Sequence, residues 1–149
     1  MNLVTGGGGY LGSHLSRALL ARGERVRVLD VQRTSLCPEE VEFVRGDVRD
    51  AGTVQGALRG VRRVFHIAFV QSLSRRPERE RRAVNLGGMA NLLAASETAG
   101  VERFVFASTI EIYGTRPPDP CPEDAPTDRP VGWYGRHKLQ CERMLRAAC

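Results

Sequence analysis

Residues 3–15 read LVTGGGGYLGSHL, with four consecutive glycines, Gly6 to Gly9, directly after an apolar run and directly before helical apolar spacing. A glycine inside a strand or helix costs roughly 0.5–1 kcal/mol relative to alanine. A run of four at such a junction therefore marks a backbone path that side chains would block, or a ligand packed on bare backbone. Two registers fit: Gly7-x-Gly9-x-x-Gly12, a dinucleotide pattern, and Gly6-x-x-Gly9-x-x-Gly12 preceded by Thr5. In both, Gly9 lets a phosphate approach and Gly12 lets the helix pack closely on the sheet. The free amides of Tyr10 and Leu11 at the helix start point at a pyrophosphate.

The rest of the chain repeats the strand–helix alternation. "MNLVT" reads as a strand, and Leu11, Leu15, Ala18 and Leu19 give a helix over 10–22 stopped by Gly23. "RVRVLD", "VEFVRGD", "RRVFHIAF" and "RFVFAST" read as four more strands. Asp50 caps a short helix to about Leu58, one long helix is predicted over 78–99, and a last helix over 131–148 follows the proline-rich loop RPPDPCPEDAPTDRP. Nearly continuous apolar strands are those of a buried parallel sheet. The fold class is α/β: a Rossmann-like, doubly wound parallel sheet of about five strands with helices on both faces.

With 149 residues, one domain is expected, a dinucleotide-binding domain over 1–149. No apolar run reaches the roughly 18 residues of a membrane span, and no basic-then-apolar leader opens the chain. The four cysteines, Cys37, Cys121, Cys141 and Cys149, have no metal-site spacing. No metal is expected, and reduced thiols in a cytoplasmic protein are the simpler reading than a disulfide. The net charge is +5, with five arginines in SRRPERERR. Interleaved Glu78 and Glu80 make this a solvated start of a helix rather than a nucleic-acid surface; a loop facing a ligand phosphate is a third reading.

Asp30 ends the second strand, 18 residues after Gly12. A carboxylate there accepts hydrogen bonds from an adenosine ribose and repels a 2′-phosphate, so it favours NAD over NADP. Arg33, just beyond, pulls the other way and carries less weight. Tyr134 and Lys138 are four apart on the last predicted helix and share a face. An ammonium beside a phenol stabilises phenolate and lowers its pKa, which suits proton exchange with a substrate hydroxyl. Thr109 or Ser108, ending the neighbouring strand, supplies a hydroxyl for the same substrate oxygen. His66 reads as a hydrogen-bonded core residue, and His137, off the shared face, is given no role.

These motifs together resemble the extended short-chain dehydrogenase/reductase family, the NAD-dependent epimerase/dehydratase group, over nearly the whole chain. "TGGGGYLGSHL" resembles its TGxxGxxG motif, with Gly8 where alanine is common, and makes Gly6, Gly9 and Gly12 the motif glycines. By the same resemblance Asp47 and Val48 of "GDVRD" meet adenine. Ile67, Ala68 and Phe69 line the cofactor, Phe69 standing where a small residue is usual. Asn85 lies near the cofactor. "FASTIEIYG" and "YGRHK" resemble the catalytic segments, which implies Thr109, Tyr134 and Lys138 as the catalytic set, Lys138 also holding the nicotinamide ribose. Only half of the acidic pair of the family's sugar dehydratases is matched, at Glu111.

The resemblance implies an NAD-dependent epimerase, dehydratase or dehydrogenase acting on a hydroxyl or carbonyl of a nucleotide sugar, with a homodimer as the family expectation. Family members usually run to more than twice this length, so the substrate domain is expected to be absent. The alternative is a non-catalytic NAD-binding module or truncated pseudoenzyme.

Overall fold

The computed structural model describes residues 1–148. Five parallel strands form one sheet: β1 (Asn2–Thr5), β2 (Val26–Asp30), β3 (Glu42–Arg45), β4 (Arg63–His66) and β5 (Arg103–Phe106). Their spatial order is β3-β2-β1-β4-β5. The chain winds outward from β1 through β2 to β3, then returns to the other side of β1 for β4 and β5. This reversal leaves a switch point at the carboxyl ends of β1 and β4, where open α/β sheets bind ligands.

The helices are α1 (Tyr10–Ala21), α2 (Ala51–Ala57), α3 (Glu78–Arg82), α4 (Gly88–Ala99) and α5 (Gly132–Ala147). Alternation along the strands sends side chains to two cores. Val4, Val26 and Val28 pack with Leu19 of α1 on one face. Leu3, Leu29 and Val64 pack with Val54 of α2 and Leu92 of α4 on the other. Cys141 of α5 joins that second layer against Leu86 and Met89, with Phe69, Phe104 and Phe106 alongside.

One expectation needs correction. The long helix over 78–99 is not continuous α: α3 passes through a π-helical turn, Ala83–Gly87, before α4 begins. Apolar spacing begins in the π-helical turn, at Val84 and Leu86, and runs on through Met89 and Leu92 of α4 without a break, so the pattern reads as one helix with the charged α3 as its exposed start. The wider i→i+5 turn buries Asn85, a polar residue that an uninterrupted amphipathic stripe does not call for.

Among the described residues, no helix is long and apolar enough to cross a membrane.

Candidate active site

The carboxyl ends of the strands open into a cavity of about 870 Å3, within the range of small-molecule sites. The β1–α1 loop forms its floor. Gly6 has φ +74° and a Cβ there would stand 2.7 Å from the Ala68 nitrogen; a Cβ on Gly12 would collide with the backbone of Gly6 and Gly7. These two glycines are required by the fold itself. Gly9 differs: φ is −84° and a Cβ would meet only the Gly6 carbonyl, at 3.3 Å. Gly9 is solvent-exposed at the helix start, and α1 has no acidic residue in its first turn. The positive end of the helix and the amides of Tyr10 and Leu11 therefore face the cavity without an internal counter-charge.

At one end of the cavity stands Asp30. Its carboxylate accepts from the Gly8 nitrogen at 2.9 Å and the Gln32 nitrogen at 3.3 Å. Gly8 is clamped from its other side by Thr34, whose hydroxyl donates to the Gly8 carbonyl at 2.6 Å. A Cβ on residue 8 would lie 2.6 Å from the Gln32 carbonyl, so alanine does not fit this arrangement. Arg33 turns away from the cavity. It donates to the carbonyls of Pro38 and Glu39 and stacks 5.4 Å from the Phe43 ring centre. Asp47 and Val48 also line this end. The Arg49 guanidinium hydrogen-bonds to the Asp47 carboxylate and holds it below the usual carboxylate range.

A buried hub joins β1 to β4. Thr5 Oγ1 accepts from the nitrogens of Ile67 and Ala68, both at 3.2 Å, so its own proton goes to His66 Nδ1 at 2.8 Å. His66 is fully buried, and desolvation pushes its pKa down to about 3. It is neutral, a core residue as expected, and it fixes the Ile67-Ala68-Phe69 wall of the cavity.

At the far end, Tyr134 and Lys138 of α5 both line the cavity. Lys138 Nζ donates to the Ala107 carbonyl at 2.5 Å and stands 3.8 Å from the Phe69 ring centre, 4.6 Å from that of Phe106 and 5.6 Å from that of Tyr134. Burial lowers its pKa to about 8. The lowered phenol pKa expected of Tyr134 is not what this arrangement gives. Burial raises it first and Glu111 raises it further, while the ammonium is directed at a carbonyl and an aromatic box.

Two expected site residues do not line the cavity. Asn85 is buried behind it, accepting from the Val70 nitrogen at 2.7 Å. Thr109 caps the 3-10 turn Ile110–Tyr113, its hydroxyl accepting from the Glu111 nitrogen at 3.3 Å. Ser108 does line it, but donates its proton to Glu142. Arg76, at the mouth, is the sole arginine lining the cavity among the described residues. It comes from the arginine-rich segment, where composition alone could not single it out. The remaining arginines there are exposed except Arg81, which lies 4.3 Å over the Trp133 ring.

The parallel sheet with its glycine turn at the switch point is a Rossmann-like fold of the short-chain dehydrogenase/reductase type. The model of the NAD dependent epimerase/dehydratase family matches residues 2–149. The chain belongs to that family. It is 38% identical over 152 residues to a UDP-glucose 4-epimerase of Streptomyces lividans, covering 96% of this chain and 46% of that protein. It is likewise 38% identical over 155 residues to a 3 beta-hydroxysteroid dehydrogenase/Delta 5-->4-isomerase of Mycobacterium tuberculosis, covering 97% and 42%. The structure of Thermus thermophilus UDP-glucose 4-epimerase in complex with NAD superposes with a TM-score of 0.86 at 38% identity, covering 98% of this chain and 50% of that one. The chain thus spans about half the length of these relatives or less.

Proposed function

We propose that this chain binds NAD across the switch-point cleft and forms the cofactor half of an epimerase, dehydratase or dehydrogenase that acts on a nucleotide sugar. The observation that carries the reading is the continuity of one cavity from Asp30, past the α1 amides, to Tyr134 and Lys138. That sequence of groups matches ribose, pyrophosphate and nicotinamide in turn. Bound NAD would supply hydride acceptance and return.

The chain's own residues would do the rest. Asp30 would accept from the adenosine ribose, and with Arg33 spent on Pro38 and Glu39, the site favours NAD over NADP. Tyr134 would exchange the proton of the substrate hydroxyl. Lys138, held by Ala107, would keep positive charge beside it and bind the nicotinamide ribose. Thr109 caps the 3-10 turn next to the cavity-lining Ser108 rather than lining the cavity itself, and would orient the substrate oxygen from there: its hydroxyl accepts from the Glu111 nitrogen, so its proton is free to donate. The Ser108 proton is already given to Glu142. Nucleotide sugars are the substrate class because UDP-glucose 4-epimerases recur among the relatives.

The test is turnover. The purified chain with NAD is incubated with UDP-glucose and UDP-galactose, and the ratio of the two is followed by chromatography. Interconversion with no net gain of NADH supports the epimerase reading, and net NADH formation supports a dehydrogenase. NAD binding with neither favours a non-catalytic dinucleotide-binding module.

A further inference from the structure

Helix α5 holds the cavity wall through a residue inside the Tyr134–Lys138 segment. His137 is buried, and its Nδ1 lies 3.3 Å from Asn85 Nδ2. The Val70 backbone nitrogen can only donate, and it reaches Asn85 Oδ1 at 2.7 Å. This fixes the orientation of the Asn85 amide. Its nitrogen faces the Val70 carbonyl at 3.5 Å and His137 at 3.3 Å, one N–H for each. His137 Nδ1 must then accept, so the imidazole is neutral with its proton on Nε2. The Cys141 thiol, one turn on, donates to the Asn85 carbonyl at 3.4 Å. Thus α5 grips the π-helical turn at both the side chain and the backbone of one residue.

What Asn85 holds is the start of the loop after β4. Val70 follows Phe69, whose ring covers the Lys138 ammonium and meets the Tyr134 ring edge-on at 5.6 Å. We propose that His137 is a positioning residue: by accepting from Asn85 in its neutral form, it fixes Val70 and Phe69 against the helix that carries Tyr134 and Lys138. An imidazolium has donors on both nitrogens and cannot accept. Protonation would set donor against donor and release the wall.

The surroundings oppose that protonation. Arg81, Arg82 and Glu78 face His137 from α3, and Arg136, Lys138 and Cys141 flank it on α5. Arg81 lies over Trp133, whose ring meets that of His137 at 5.5 Å. Burial lowers the pKa of His137 first, then Arg82 and Arg81, with Glu78 opposing.

The inference rests on the NAD reading for its functional consequence but not for its geometry, and the experiment separates the two. Nitrogen-15 NMR of the uniformly labelled chain reads the histidine tautomers, their titration and the Val70 amide together, with His14 and His66 assigned by substitution. The expected result is a neutral His137 protonated at Nε2, titrating below about pH 6.5, with the Val70 amide moving at the same midpoint. In parallel, NAD affinity is measured as the pH falls through that midpoint. It is expected to drop roughly tenfold in the wild type and to stay level in His137→Gln, whose side-chain carbonyl accepts without titrating. A proton on Nδ1, a Val70 amide indifferent to the titration, or an equal acid loss in His137→Gln would overturn the proposal. If His137→Gln does not fold, the wild-type spectra decide. If NAD binds at no pH, the proposed function fails, and the spectra still judge the His137–Asn85–Val70 link.

Discussion

Lys138 and Ala107 are joined by a 2.5 Å hydrogen bond from the ammonium to a backbone carbonyl at the end of β5. The bond fixes the cation beneath Phe69 and Phe106, in a setting dry enough to bring its pKa from 10.5 to about 8. Below about pH 8 the folded chain carries this charge at a desolvation penalty. Between about 8 and 10.5 the folded state sheds the proton before the unfolded state does, so the unfolded state binds more protons and stability rises with pH. Cys141, held up to about 12, subtracts stability above its ordinary value of 9, so pH 8 to 9 isolates Lys138. Chemical denaturation of Lys138→Met is expected to lack the rise in that window. At pH 7 the variant should be more stable than wild type by on the order of 1 kcal/mol, while losing turnover.

Tyr134→Phe should reduce turnover by roughly 100-fold or more and change NAD affinity by less than about threefold, since the ring stays packed between Phe69 and Trp133. Glu111 raises the phenol pKa. Glu111→Gln should therefore move the Tyr134 titration to lower pH, read as the rise of tyrosinate absorbance against a Tyr134→Phe background.

The glycines divide into two kinds. Gly6→Ala forces a side chain into a positive-φ position against the Ala68 nitrogen and should destabilise by about 2 kcal/mol or more in thermal unfolding. Gly9→Ala should leave stability within about 1 kcal/mol and weaken NAD binding by at least about tenfold, because Gly9 is exposed at the start of α1, where the phosphates are proposed to sit.

Thr109→Ala should lower turnover about 100-fold and Thr109→Ser should restore most of it. Ser108→Ala should stay within a few-fold of wild type. Steady-state kinetics with the best nucleotide sugar checks the pair, and a reversed ranking would move the substrate-orienting role to Ser108.

Local chemistry makes part of the fold and of the site legible in the sequence. A glycine run between a strand and a helix has few uses, and Asp30 at the end of the next strand narrows them. The i,i+4 spacing of Tyr134 and Lys138 places both on one face of α5, and both line the cavity. What was not legible depends on long-range packing. The π-helical turn hides because Leu86, Met89 and Leu92 keep an apolar stripe through it. The direction of the Tyr134 shift depends on Glu111, 23 positions earlier in the chain. His137 points away from the Tyr134–Lys138 face, which in sequence gives it no partner. Only the fold brings it to Asn85, 52 positions away.

If the cleft between Asp30 and Lys138 holds NAD, calorimetric titration of the purified chain with NAD and then NADP will show it. Saturable 1:1 binding of NAD is expected, at least about tenfold tighter than NADP, with that preference lost in Asp30→Asn, which keeps an acceptor for the Gly8 nitrogen but not the charge. Equal or tighter binding of NADP, or no heat with either dinucleotide, would contradict it.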